Sequence, residues 1–405
     1  MAGNTSYRSR QSRSTRSRSS YPRQNNNNRR SRGPRSQNIN PERFIKAANP
    51  VKVDDYKPTN QFDDFNLHPT LKRNVSFKRF NNPSHIQDIA IPHALEGKDV
   101  IGIASTGTGK TIAFAIPVIN KLLASRDSSA LIVAPTRELA QQIENEIKTL
   151  LKSTDLYTAL VIGGTPMHRQ TNQLRRRPNI VIGTPGRLLD HVKRGNIKLH
   201  FYDLFVLDEV DRMVDMGFIN DVRAMFEGLP ANKQSLVFSA TMNDQIESLV
   251  RTFLSDPIKL STGINEPSQN VEQNVVRHTR EDKIEKLHDI LNDEAVKKTL
   301  IFSERKHDAD KLTQELISRG FKADAIHGDK TQGYRQKVLR NFKESQIDIL
   351  VATDVAARGI SVPDITHVIN YDIPSTYDDY IHRIGRAGRA NNVGYALTFV
   401  SGGHY

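Results

Sequence analysis

The residues with the strongest chemical potential lie at 104–111, Ala-Ser-Thr-Gly-Thr-Gly-Lys-Thr. Two glycines, a lysine and a hydroxyl at this spacing suit a polyphosphate. Gly107 and Gly109 let the backbone curl round the anion with its N–H groups inward. Lys110 brings a mobile cation to the outer phosphates, and the Thr111 hydroxyl can ligate magnesium. Ala104, Ser105, Thr106 and Thr108 complete the loop. Ala104 stands where the strict pattern has glycine. A second group follows at Phe205-Val-Leu-Asp-Glu-Val-Asp211. Of Asp208 and Glu209, one carboxylate can hold the metal, often through water, while its neighbour orients or deprotonates the attacking water. A third is His382-Arg-Ile-Gly-Arg-Ala-Gly-Arg389. Arg386 and Arg389 are three apart and share a face if the segment is helical. Planar guanidinium groups suit the anionic transition state of phosphoryl transfer.

These groups need rigid elements to aim them. Val100-Ile-Gly-Ile103 before the loop and Ile112-Ala-Phe-Ala-Ile116 after it read as strand, glycine loop, helix, and the helix start adds its own attraction for anions. From residue 60 onward, short apolar runs alternate with longer helical patterns. The first half predicts strands at 100–104, 130–134, 158–162, 180–183, 204–207 and 235–238, with helices at 136–151 and 243–253. The second half predicts strands at 271–278, 299–302, 323–326, 347–351, 367–370 and 395–400. Strands alternating with helices imply parallel sheets covered on both faces, so each half is an α/β doubly wound domain. Ligands in such sheets bind beyond the carboxyl ends of the strands, where the glycine loop and Asp208 fall.

The predicted organisation is a tail at 1–40, a linker at 41–59, a first domain at 60–262, a hinge at 263–270 and a second domain at 271–405. Of the 405 residues none is cysteine, which excludes disulfides and thiolate metal sites. No uninterrupted apolar run reaches membrane length, and no partner membrane is expected. The net charge of +13 is unevenly placed. The tail holds ten arginines and no lysine or acidic residue, leaving +3 for residues 41–405. Its Ser, Asn and Arg composition predicts disorder, and a mobile polycation gathers nucleic acid by counterion release. It lacks the amphipathic face of a transit peptide. The absence of a basic import cluster points to a bacterial cytoplasm, with a nuclear location left open.

The order of short motifs over residues 60–401 resembles the DEAD-box RNA helicases of helicase superfamily two. The resemblance implies two tandem RecA-like domains, ATP and Mg2+ as the bound groups, and RNA as the sequence-nonspecific partner of a monomer, with ribonucleoprotein partners also open. It implies that Phe62 stacks on adenine and that Gln87, in Arg79-Phe-Asn-Asn-Pro-Ser-His-Ile-Gln87, hydrogen-bonds its edge. By the same resemblance, Pro135, Thr136, Arg137, Gly163, Gly164, Thr184, Gly186, Arg187, Gln332, Arg335 and Thr353 contact RNA. Gly359 lies at the nucleotide, and Ser239, Thr241, Asp211, Asp354, Arg358 and His382 couple the two domains. Lys110, Glu209, Arg386 and Arg389 form the hydrolytic set, with Thr111 and Asp208 at the metal.

Four departures from the family pattern matter. Val210 replaces the alanine of the acidic motif and adds bulk behind intact carboxylates. Ser105 stands where glutamine is frequent. Ser361 stands where an aspartate usually faces the ribose. The sequence ends at Tyr405, just past a predicted strand, where the family continues into a covering helix; this suggests a short or truncated form, or a partner over that face. The activity expected is RNA-stimulated ATP hydrolysis driving domain closure and local duplex separation. An ATP-gated RNA clamp or ribonucleoprotein scaffold with little unwinding is the alternative.

Overall fold

The computed structural model describes residues 3, 39–48, 56–78, 80, 82–105, 107–254, 256–263, 270–357, 362, 364–388 and 393–402. The tail before residue 39 apart from Gly3, the centre of the hinge (264–269), Arg79, Thr106, Arg358, Gly359, Ser361 and Arg389 lie outside the described residues.

The first sheet has seven strands: β1 Val100–Ile103, β2 Ala130–Val133, β3 Thr158–Val161, β4 Ile180–Gly183, β5 Leu204–Leu207, β6 Gln234–Ser239 and β7 Ile258–Ser261. Their order across the sheet is β3-β4-β2-β5-β6-β1-β7, and every pairing is parallel. β1, β2, β4 and β5 are four-residue apolar runs buried throughout, the pattern of strands covered on both faces. Successive residues alternate between two cores. Ala130, Ile132, Leu204 and Val206 pack with Ile86, Ile116 and Ile143 on one face. Leu131, Val133, Phe205 and Leu207 pack with Leu188, Met213 and Ile246 on the other.

β7 is absent from the sequence prediction. Its Ile-Lys-Leu-Ser pattern has no buried run, because it is an edge strand that pairs with β1 alone. The remaining strands of this sheet fall within a residue or so of their predicted bounds.

The second sheet comprises β8 Val271–His278, β9 Thr299–Phe302, β10 Ala323–Ile326, β11 Ile349–Ala352, β12 His367–Asn370 and β13 Gly394–Ser401, in the order β10-β11-β9-β12-β13-β8. It too is parallel. Helices Lys283–Leu291 and Lys306–Ser318 bury Leu287, Leu291, Leu312 and Leu316 on one face. Gln332–Lys343 buries Val338 and Phe342 on the other.

A segment that precedes the first sheet in the chain packs on the second. Residues Pro41–Phe44 form a 3-10 turn. Lys46 and Gln273 of β8 exchange two backbone hydrogen bonds, at 3.0 and 2.8 Å. Phe44 is fully buried among Val271, Tyr380, Ile384 and Ala396, its ring 4.6 Å from that of Tyr380. Arg43 lies over the Tyr377 ring at 4.2 Å.

Candidate nucleotide and RNA site

Strands β1, β6 and β5 are neighbours, so their carboxyl ends deliver the glycine loop, Ser239 and Asp208 side by side. Ala104 donates its N–H to the Ser239 carbonyl at 3.0 Å, which ties the loop to β6. Gly109 caps the helix Lys110–Ala124 at φ 94°, a left-handed value that glycine adopts without strain. A Cβ there would stand 2.2 Å from the Gln87 amide nitrogen, so any other residue would strain the backbone and displace that amide. Lys110 is 6 % exposed and donates from Nζ to the Ala104 carbonyl at 2.9 Å. Thr108 donates to the Ser105 carbonyl at 2.8 Å. Thr111 is half-buried in the first helical turn.

Gln87 sits in the helix His85–Leu95, whose start is fixed by reciprocal contacts with Ser84. Its oxygen accepts from the Ser84 N–H at 2.9 Å and its nitrogen donates to the Gly109 carbonyl at 3.0 Å. Ser84 Oγ donates to the Thr108 carbonyl at 2.6 Å. Thus Gln87 and Ser84 both brace the glycine loop. Phe62 is buried, its ring 6.0 Å from Phe65 and 5.6 Å from Phe80.

Asp208 is 2 % exposed. Burial raises its pKa to about 7; the carboxylates of Glu209 and Asp211 add to the rise, while Lys110 and the Glu209 N–H oppose it. Glu209 holds φ 54°, a left-handed backbone that a glutamate adopts only under constraint. Its carboxylate lies 2.8 Å from the buried guanidinium of Arg212. Val210 is 1 % exposed and packs in the apolar core on that side of the sheet. Asp211 binds the next strand end: one oxygen accepts from the backbone N–H groups of Ala240 and Thr241, each at 3.1 Å, and from the Thr241 hydroxyl at 3.3 Å. Its own N–H donates to Ser239 Oγ at 3.3 Å.

The residues expected at RNA gather where the two sheets' loops meet. Thr136 caps the helix Arg137–Leu150, its oxygen accepting from the Leu139 N–H at 3.3 Å, with Pro135 buried before it. The Arg137 guanidinium lies over Gly163 and Gly164, where added Cβ atoms would meet it at 2.9 and 2.5 Å. Thr184 caps the helix Pro185–Lys193, which carries Gly186 and Arg187; Arg187 donates to the Thr165 carbonyl at 3.0 Å. Across the cleft, Gln332 and Arg335 are buried in the helix Gln332–Lys343. Arg335 pairs with Glu138 at 2.8 Å, and Gln336 donates to Gln141 at 3.1 Å. Burial raises the Glu138 pKa, and Arg335 is the main opposing influence.

In the second half, Thr353 and Asp354 follow β11, with Thr353 buried. His382, Arg383 and Arg386 surround one small cavity with Asp354, Ala357, Asp379 and Phe302. Arg383 is 3 % exposed and donates to both Asp354 oxygens at 2.6 and 2.7 Å, to Asn370 at 3.2 Å and to the Asp372 carbonyl at 2.7 Å. Motif spacing singled out His382, Arg386 and Arg389 and passed over Arg383, whose partner lies 29 residues upstream. Glu138 and Asp88 were missed for the same reason, since each is defined by a distant partner; Arg212, whose partner Glu209 is three residues away, was also passed over.

Two sheets of this order, one with a phosphate-type loop beside an acidic strand end, define a two-lobed nucleotide-binding protein. Comparison with known proteins gives the family. Residues 84–249 match the DEAD/DEAH box helicase family and residues 282–391 match the helicase conserved C-terminal domain. The chain is 44 % identical over 342 residues to the ATP-dependent RNA helicase CshA of Listeria monocytogenes, a match covering 84 % of this chain and 66 % of that protein. It is 42 % identical over 356 residues to the DEAD-box ATP-dependent RNA helicase RhpA of Helicobacter pylori, covering 87 % of this chain and 72 % of that one. It thus spans just under two thirds of the first relative's length. Among solved structures, Mss116p bound to ssRNA and AMP-PNP matches at TM-score 0.78 with 30 % identity, over 86 % of this chain and 76 % of that one. Saccharomyces cerevisiae Dbp5 bound to RNA and ADP BeF3 matches at 0.74 with 28 % identity, over 85 % and 90 %. This chain belongs to the DEAD-box RNA helicase family, and its two α/β halves are tandem RecA-like domains.

Proposed function

We propose that this chain is an RNA-stimulated ATPase that uses closure of its two lobes to separate short RNA duplexes. The observation that carries the reading is the Asp211 junction. Asp211 joins the strand end bearing Asp208 and Glu209 to the strand end bearing Ser239 and Thr241: its N–H donates to Ser239 Oγ and its carboxylate accepts from the Ala240 and Thr241 N–H groups. A change at the nucleotide therefore reaches the loop beside the cleft without crossing flexible chain.

ATP is the substrate of the glycine loop. Lys110 exchanges its bond to the Ala104 carbonyl for the outer phosphates, and the base lies between Phe62 and Gln87. The donor set fits a magnesium ion: the Thr111 hydroxyl and the Asp208 carboxylate are hard oxygen ligands. Asp208 is a buried acid with a raised pKa, which a divalent cation would relieve. Magnesium at that position would polarise the terminal phosphates. Glu209 takes the proton of the attacking water once it leaves Arg212. Arg386 and Arg389 approach the terminal phosphate from the second lobe as the cleft shuts, and the Asp354–Arg383 pair holds the helix Tyr377–Ile384 that precedes Arg386. His382 lines the second-lobe cavity beside Arg386, and the family resemblance assigns Gly359 to the nucleotide and Arg358 to interdomain coupling.

RNA lies along Arg137, Gly163, Gly164, Thr184, Gly186 and Arg187 of the first lobe, and Gln332, Arg335 and Thr353 of the second. These groups are hydroxyls, backbone N–H groups, guanidinium and, at Gln332, an amide, all of which can hold phosphates without reading bases. We assign the chain to a bacterial cytoplasm over a nucleus, a reading supported by the bacterial origin of the named relatives. No helix among the described residues is long and apolar enough to cross a membrane.

The test is ATP turnover with and without single-stranded RNA, with single-stranded DNA as control, together with strand release from a short duplex. Stimulation by RNA alone and ATP-dependent release are expected. Long RNA residence with negligible release would assign a clamp instead, and equal stimulation by DNA would overturn the RNA assignment.

A further inference from the structure

We propose that Asp88 is a positioning residue for base recognition: it fastens the segment leading into Phe62 to the helix carrying Gln87, and so sets the discrimination of ATP from GTP. The inference rests on the base lying between Phe62 and Gln87.

Asp88 is 2 % exposed, yet it is an acid one residue from Gln87. Four donors from one short segment converge on it. One oxygen accepts from the Tyr56 hydroxyl at 2.5 Å and the Thr59 N–H at 2.7 Å. The other accepts from the Asn60 N–H at 3.0 Å and the Asn60 side-chain amide at 2.7 Å. Burial alone would raise its pKa; the donors from Tyr56, Asn60 and Thr59 outweigh burial and hold the carboxyl below its ordinary value. The Tyr56 ring adds a second attachment, stacked on His85 with centroids 4.1 Å apart. Two residues past Asn60 the chain reaches Phe62.

Adjacent helical residues point about 100° apart. Gln87 therefore faces the glycine loop while Asp88 faces residues 56–60, and one turn of helix brackets both sides of the base. A solvated polar residue would suffice for a helix surface. A buried carboxylate saturated by a neighbouring segment fixes that segment's distance from Gln87.

The experiment uses the full chain and reads RNA-stimulated hydrolysis of ATP and of GTP, below each variant's melting temperature. Asp88→Ala should raise the KM for ATP on the order of tenfold, about the worth of one hydrogen bond to a charged group, with the loss in KM rather than kcat. The ATP over GTP ratio of kcat/KM should fall toward one, which a purely structural role would not produce. Tyr56→Phe removes one donor and should move the ratio less, in the same direction. Should Asp88→Ala fail to fold, Asp88→Asn and Tyr56→Phe preserve volume and carry the comparison. Gln87→Ala separates the two ideas. If it erases the ratio while Asp88→Asn and Tyr56→Phe retain it, Asp88 has no positioning role and the base pocket stands. If it too leaves the ratio intact, both readings fall.

Discussion

The two lobes handle buried charge in opposite ways. At the end of the first sheet, Asp208 is an acid pushed up to about 7, Glu209 sits on a constrained backbone, and Lys110 bonds its own loop. At the end of the second, Arg383 is matched by both oxygens of Asp354 and by two further acceptors, and Asp372 is matched by Lys283 at 3.1 Å and by the Ser303 hydroxyl and the Glu304 N–H. The first arrangement is high in energy until a polyanion and a cation arrive. The second is complete in itself and serves as a rigid platform. Binding energy can thus be directed into closing one lobe on the other: the first lobe gains charge compensation from the nucleotide, and the rigid second lobe adds its contacts only in the closed state.

The largest effect that would break this contrast is catalytic. With Glu209→Gln the proposed proton acceptor is gone while the loop and Asp208 remain. RNA-stimulated turnover should fall by about 10²–10⁴-fold, the range for a positioned general base, with ATP and RNA still bound. Unchanged turnover in a single-cycle assay would remove Glu209 from the mechanism.

The next effect is on stability and belongs to the second lobe. Phe44→Ala empties a fully buried aromatic site between β8 and the helix Tyr377–Ile384. A loss of about 3 kcal/mol is expected from chemical denaturation. A loss near zero would show that residues 41–46 are not part of the platform. Asp354→Asn is smaller: it keeps the shape and one acceptor but leaves Arg383 without its counter-charge. We expect a loss of about 2 kcal/mol, the scale of a hydrogen bond to a charged group. If the first lobe's Asp208→Asn loses as much, the two sheet ends do not differ as described.

The sequence made most of the architecture legible, for a specific reason. Central parallel strands are continuous apolar runs, so Ala130–Val133 and Ile349–Ala352 stand out from the helices around them. The edge strand Ile258–Ser261 did not, since half its residues face outward and no buried run marks it. Likewise the glycine loop and Asp208 were legible because their chemistry is local in sequence. Arg383, Glu138 and Asp88 were not, because each acquires meaning from a partner dozens to hundreds of residues away. The segment 41–46 was read as a linker on composition. Its single aromatic anchor, Phe44, finds its pocket on a strand more than 200 positions downstream.

The finest distinction between the lobes is in their response to acid. Asp372 is half-buried, which alone would raise its pKa, but the Glu304 N–H, Lys283 and Ser303 together hold it below the ordinary 3.8. A carboxyl depressed in the folded state contributes stability that is fully present above its unfolded pKa and is lost as pH falls through the lower, folded value. The second lobe should therefore hold this increment at pH 5 and shed it below about pH 3.8. Asp208 has the opposite sign: raised to about 7, it lowers stability as pH climbs from about 4 to 7. Denaturation midpoints of Asp372→Asn and the parent should consequently converge as the solution is acidified below pH 3.8 and separate at pH 5. Parallel curves across that range would mean that Lys283, Ser303 and the Glu304 N–H do not favour the ionised form, and the account of the second lobe as electrostatically complete would fail at this residue.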